Sequence, residues 1–352
     1  MADTSAPKSV LNTEKFVQDI LASVERDRER EIIARRFGLF DRRETLEQIG
    51  ELLGITRERV RQLEKSVIAR FKTMAEQGQL PHIKEVEASL TQHLAEMGQA
   101  ARVSDLTAVV TAENSKTDQS RVVFLATLCP HLSVIEEDDH YYQGVGITSV
   151  RDTDAMKADI AKLISAISAA GEPVAIAAIA KTAHILSPDE AAALASISKS
   201  LATLNGRWGL VKWPMVNPKN IRDKIYVILK ENGKHMHFNE ISEAIKKSDF
   251  KRKDVTTQAI HNELIKDKRF VLIGRGIYAL KEWGYEKGTV ADIITEVLRE
   301  AGEPLHRDEI VKRVLKSRFV KETTILLNLQ GKTQFKRVAK ATYELEEIEG
   351  EA

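Results

Sequence analysis

The amino-acid sequence predicts a mainly α fold with short β-wings: an N-terminal helix-turn-helix followed by about four winged-helix repeats. Three observations predict it. The stretch "TLEQIGELLGITRERVRQLEK", from Thr45 to Lys65, places two short amphipathic segments around Gly54. Four later glycines, Gly98, Gly171, Gly233 and Gly302, are flanked by apolar residues in the same phase. Behind each of them come further helical stretches and then a β-branched or aromatic run that turns back on itself.

Composition sets the outer bounds. With 352 residues, 43% hydrophobic and 30% charged, the chain is long enough for several domains and can bury cores. The net charge is only +1, but it is unevenly spread. Residues 1–75 hold 15 basic and 13 acidic side chains, residues 76–215 hold 11 and 17, and residues 216–352 hold 27 and 22. Two mildly basic ends therefore flank an acidic middle. A single cysteine, Cys129, excludes an intrachain disulfide and a Cys-rich zinc cluster and points to a reducing compartment. The opening "MADTSAPKSVLN" lacks the apolar core of a signal peptide, and no run approaches the length of a membrane span. The expectation is a cytoplasmic chain with no membrane partner.

In the first module, expected over 13–76, Leu46, Ile49, Gly50 and Leu53 fall on one helical face. Thr45 with Gln48 three residues on forms a capping box that sets the helix start. Gly50 removes a side chain where a second helix can approach, and Gly54 permits the left-handed turn that ends the first helix. The second helix starts at Thr56 and buries Val60, Leu63, Val67 and Phe71. At 100° per residue, Arg57, Glu58, Arg61 and Gln62 lie on the opposite side. Those side chains suit base edges: Arg donates two bonds to guanine, Gln pairs with adenine, and Glu accepts from the cytosine amino group.

The segment "ILASVERDREREIIARRFGLFDRRETLEQIGELLGITRERVRQLEKSVIARF" resembles the fourth conserved region of primary-type bacterial sigma factors, most specifically in "RRFGL" and "GITRERVRQLE". The resemblance implies that the second helix enters the major groove of the upstream promoter hexamer. Carried over by position, Arg57, Glu58, Arg61 and Gln62 would touch bases or adjacent phosphates, and Thr45, Arg59 and Lys65 would contact the backbone. It also implies docking on the β flap of RNA polymerase. Only about twenty residues precede this segment, with no aromatic-rich helix among them, so the expectation is not a free-standing sigma factor that opens promoters.

Aligned on the four glycines, Leu90, Leu163, Ile225 and Ile294 stand eight residues before and Leu94, Ile167, Leu229 and Leu298 four before. Leu106, Ile179, Ile241 and Ile310 stand eight after. Each glycine is thus expected to end one amphipathic helix and precede another that returns to the same core. The repeats are expected near 84–146, 155–213, 219–283 and 288–347. The third contains "RFVLIGRGIYALKEWGY", with strands expected at Phe270 to Ile273 and Ile277 to Lys281 around a Gly-Arg-Gly turn. It resembles the HARE-HTH family, which includes the N-terminal domain of the RNA polymerase delta subunit. In this repeat Arg275 at the wing tip and Lys251, Arg252 and Lys253 ahead of the third helix are secondary candidates for phosphate contacts.

Other signals are weaker. His235 and His237 alternate across an extended segment without a third ligand, so no metal site is expected. "GVG" and "GRG" lack the Lys-Ser or Lys-Thr pair of a phosphate loop. Glu136 to His140 reads as a solvated acidic turn. No nucleophile, base and oxyanion donor assemble, so neither catalysis nor a cofactor is expected. The functional expectation is a DNA-binding transcription regulator that reads promoter-like duplex through the second helix and contacts RNA polymerase. The alternative is an accessory polymerase subunit or interaction protein without sequence reading.

Overall fold

The computed structural model describes residues 10–252, 254–285 and 288–346. It is mostly helical with small antiparallel three-stranded sheets. The chain divides into two compact units, one running through Lys212 and the other beginning at Trp213.

The first unit opens with four helices: α1 (Thr13–Ala22), α2 (Asp27–Phe37), α3 (Leu46–Leu53) and α4 (Arg57–Glu76). Asn12 caps α1 by accepting from the Lys15 amide at 3.1 Å. Gly38 closes α2 in the left-handed region at φ 66°, where a β-carbon would meet the Arg43 amide nitrogen at 2.8 Å. Along its 20 residues α4 changes partners. Val60 packs with Ile32 and Ile49 in a small core local to α2, α3 and α4. Val67, Phe71 and Ala75 join a larger core with Phe16, Val17 and Ile20 of α1 and with Val122, Phe124 and Leu125 further along the chain.

Then follow α5 (Ile83–Glu96), β1 (Ala100–Arg102), α6 (Val103–Val110), α7 (Lys116–Leu128), β2 (Leu132–Ile135) and β3 (Gly144–Ile147). The second half of α4 packs on this segment. Phe124 of α7 meets Phe37 and Phe71 edge-on, with ring centroids 5.1 and 6.3 Å apart. The buried Arg121 donates from Nε to the Leu39 carbonyl at 2.8 Å and pairs with Glu14 at 3.0 Å. The unit closes with α8 (Thr153–Ala170), β4 (Val174–Ala175), α9 (Ile176–Thr182), α10 (Pro188–Ile197), β5 (Leu201–Leu204) and β6 (Arg207–Leu210).

The second unit comprises α11 (Ile221–Asn232), β7 (Met236–His237), α12 (Phe238–Lys247), α13 (Thr257–Lys266), β8 (Phe270–Gly274) and β9 (Ile277–Leu280). It continues with α14 (Val290–Ala301), β10 (Leu305–His306), α15 (Arg307–Ser317), α16 (Glu322–Gly331), β11 (Phe335–Ala339) and β12 (Thr342–Leu345). Among the described residues the order helix, strand, two helices, two strands therefore occurs four times. In each case the last strand lies in the middle of its sheet, giving the orders β1-β3-β2, β4-β6-β5, β7-β9-β8 and β10-β12-β11.

All twelve aligned apolar positions flanking the four glycines are buried. Gly171, Gly233 and Gly302 end their helices in the left-handed region. Gly98 differs: α5 ends at Glu96 with Met97 as its cap, and Gly98 and Gln99 form a positive-φ turn in which a β-carbon on Gly98 would strike the Asp189 carbonyl oxygen at 2.5 Å. The short strand between each glycine and the next helix was not expected. At two or three residues β1, β4, β7 and β10 are too brief to carry an alternating pattern, and only pairing with the later hairpin makes them strands.

Candidate nucleic-acid interface

The α3–α4 pair is built as its residues dictate. The Thr45 hydroxyl accepts from the Gln48 amide at 3.2 Å, and the Gln48 side chain accepts from the Thr45 amide at 2.9 Å. Gly54 ends α3 at φ 62°, ψ 40°. The Ile55 amide donates back to the Gly50 carbonyl at 2.9 Å, and a β-carbon on Gly50 would lie 2.7 Å from the Ile55 carbonyl oxygen. Glycine at 50 is thus a requirement of the tight turn. Thr56 caps α4 by accepting from the Arg59 amide at 3.2 Å. Ile32, Ile49 and Val60, all fully buried, lock the pair together, with Leu46, Leu53, Ile55 and Leu63 half-buried around them. The Arg28 guanidinium donates to the Leu53 carbonyl at the end of α3.

Ion pairs orient these helices against α2. Glu29 is buried on α2 and accepts from Arg70 of α4 at 2.7 Å and from Arg26 at 3.3 Å. The hydrogen bond from Arg70, more than any other contact, holds its carboxyl below the ordinary carboxylate range. Arg36 reaches Glu64 at 3.3 Å, and Arg35 ties Glu31 at 3.0 Å to Glu44 at 2.9 Å.

Arg57, Glu58, Arg61 and Gln62 are all exposed on the outward face of α4; Arg59 and Lys65 of the same helix are also exposed, as is Thr45, the cap of α3. In the free protein most of this face is linked. Glu58 takes two bonds from Arg61, at 2.7 and 2.8 Å, and one from the Gln62 amide at 3.3 Å. These contacts, led by the Arg61 bond, hold the Glu58 carboxyl low, and Glu58 in turn raises Arg61. Arg59 donates to Gln62 at 3.3 Å, and Arg57 pairs with Glu47 of α3 at 2.9 Å. The arrangement presents fork-shaped donors and a carboxylate to solvent, held by exposed pairs that water and salt screen. Such pairs yield readily to a stronger ligand.

Sequence reasoning did not single out Arg42 and Arg43. Both are exposed just before α3 and make no ion pair among the described residues. Their signal is the run "DRRE" immediately ahead of a helix start, which belongs to no helix face and so carries no period.

The secondary candidates are only partly assembled. Arg275 is exposed in the turn between β8 and β9, and Lys251 and Arg252 are exposed in the loop before α13. Lys253 lies outside the described residues. That loop is held from below by Lys224, a buried lysine of α11 that donates to the Lys251 and Arg252 carbonyls at 2.9 and 2.7 Å. His237 serves as the cap of α12, and His235 packs on Phe319 with centroids 4.3 Å apart. Among the described residues no three His, Cys, Asp or Glu side chains group as metal ligands. No described helix is long and apolar enough to cross a membrane.

The helix pair, its caps and its outward face coincide with a stretch that comparison with known proteins picks out: residues 26–72 match the family described as Sigma-70, region 4. Residues 26–72 are a sigma-70 region 4 domain. A 46-residue stretch is 50% identical to the RNA polymerase sigma factor sigB of Arabidopsis thaliana, covering 13% of this chain and 8% of that protein. In sigma factors region 4 is a DNA-binding module associated with RNA polymerase. In this chain the region 4 domain shares its larger core with α5, α6 and α7.

Proposed function

We propose that this chain is a non-enzymatic transcription regulator whose region 4 domain reads promoter-like duplex DNA. Arg57, Glu58, Arg61 and Gln62 contact bases or the phosphates beside them, and Thr45, Arg59 and Lys65 hold the backbone. The observation that supports this reading most is the outward face of α4. Its donors and its carboxylate stand on a helix whose angle is set by the Gly50 turn and the Ile32–Ile49–Val60 core. Binding exchanges the weak Arg61–Glu58 and Arg57–Glu47 pairs for base and phosphate contacts. We read the four later segments as winged helices that extend contact to flanking DNA or to RNA polymerase, with the β flap as the partner of the region 4 domain. The chain would act in the cytoplasm.

A second reading is favoured by that same ion network. With Arg57 and Arg61 both paired in the free protein, the domain could occupy polymerase without reading sequence, as an accessory subunit. Chemical protection separates the two. A base-reading α4 shields guanine N7 atoms in the major groove of a sigma-type upstream hexamer from methylation, and Arg61→Ala removes that protection. An unprotected hexamer together with retained polymerase binding would sink the first reading and leave the second.

A further inference from the structure

The last of the four segments is split by charge. Residues 288–310 hold six carboxylates and two arginines, whereas residues 311–341 hold nine cations and one carboxylate, Glu322. Two of the nine are committed within the fold. Arg313 pairs with Glu309 at 2.8 Å, and Arg318 is buried with its guanidinium on the Leu272 carbonyl. The other seven, Lys312, Lys316, Lys321, Lys332, Lys336, Arg337 and Lys340, are exposed and form no ion pair among the described residues. Glu344 stands opposite Lys336 in the ladder without pairing to it.

These cations are not on one helix face. Lys312 and Lys316 lie four apart on α15, Lys321 and Lys332 flank α16, and Lys336, Arg337 and Lys340 run along β11 into its turn. After Phe335 every residue of β11 is exposed, so the strand offers both of its faces. The other hairpins differ. The first carries Glu136, Glu137, Asp138 and Asp139 in its loop, the second turns through Asn205 and Gly206, and the third has Arg275 alone.

We propose that α15, α16 and the β11–β12 hairpin form a second nucleic-acid site, one that binds the phosphate backbone of duplex DNA without regard to sequence. Six of these seven exposed cations are lysines, and among the described residues Arg337 donates only to the Ala339 carbonyl of its own strand. Lysine is a compact point charge without arginine's rigid fork, so a spread of exposed lysines suits phosphate density better than base identity. A duplex supplies one negative charge about every 1.7 Å of axis, a ligand matched to cations spread over a helix, a turn and a hairpin. The inference does not rest on base reading by α4 and stands or falls separately from it.

The test uses the full chain and a scrambled duplex that lacks any sigma-type hexamer, titrated across a salt series. The variant Lys336→Gln/Arg337→Gln/Lys340→Gln changes only exposed side chains. A second variant, Lys312→Gln/Lys316→Gln, removes cations from α15 and keeps the hairpin intact. Each lost phosphate contact lowers the slope of log K against log salt by about 0.9, so the triple variant is expected to lose about 2 to 3 in slope and the double variant about 1 to 2. The ratio of affinities for hexamer and scramble should stay at the wild-type value in both. Unchanged slope and affinity on the scramble in both variants overturns the proposal. So does an unchanged slope accompanied by loss of polymerase binding, which would assign the surface, with its exposed Leu327 and Val338, to a protein partner.

Discussion

In the proposed reading, Glu58 governs how the region 4 domain meets a duplex. It grips Arg61 with two bonds in the free protein, so Arg61 reaches a base only by leaving it. Glu58→Gln should therefore raise affinity for any duplex and steepen its salt dependence, measured by titration on scrambled DNA, while narrowing discrimination between sequences. Gly50 is constrained by backbone alone. The β-carbon in Gly50→Ala would have to displace the Ile55 carbonyl, and the loss, read by chemical denaturation, is expected at about 1–3 kcal/mol. Glu29 makes the domain sensitive to acid. Because its carboxyl is held below its ordinary value of 4.5, the stability it contributes is complete above that pH and is lost as pH falls through the lowered value. Melting temperature should drop on acidification below about pH 4.5, and Glu29→Gln should flatten part of that slope. At this scale the caps Thr45 and Thr56, the glycines Gly50 and Gly54 and the outward set on α4 were legible from spacing, because each depends on neighbours a few residues away. The Arg61–Glu58 and Arg57–Glu47 pairs were not read, since rotamers decide which of several nearby carboxylates an arginine takes.

Among the elements, α4 has two jobs. Its first half belongs to the α2–α3 core and its second half to a core shared with α7. Phe124 is the joint, buried between Phe37 and Phe71. Phe124→Ala should destabilise the chain by about 3–5 kcal/mol. If the shared core couples the two segments, calorimetry should show the region 4 domain and the helices after it weakening together. A variant in which only one of them melts earlier would contradict that coupling. The joint was invisible in sequence because α7 is apolar on several sides, with Arg121 and residues 122–126 all buried, so no single face announced a partner. The amphipathic helices that end at Gly171, Gly233 and Gly302 were legible at a period of 3.6 residues. The brief strands that follow them were not, because two residues carry no period at all.

For the whole molecule, the break at Lys212 and Trp213 separates an acidic stretch of chain from a basic one. A net charge of +1 conceals this, and only the distribution along the chain exposes the cations that can meet a polyanion. The region 4 match covers residues 26–72, so the roles of the remaining residues rest on their own chemistry. The recurring helices were legible through their buried apolar phase, whereas the exposed lysines of the last segment were not, because they follow no single helix face. The central claim is that α4 distinguishes one base sequence from another. Fluorescence anisotropy of the full protein on a duplex with a sigma-type upstream hexamer and on its scramble, at matched salt, tests it most directly. The account predicts tighter binding to the intact hexamer, with Arg61→Ala and Gln62→Ala each removing about 1–3 kcal/mol of that preference. Equal affinity for both duplexes, unaltered by either substitution, would contradict it.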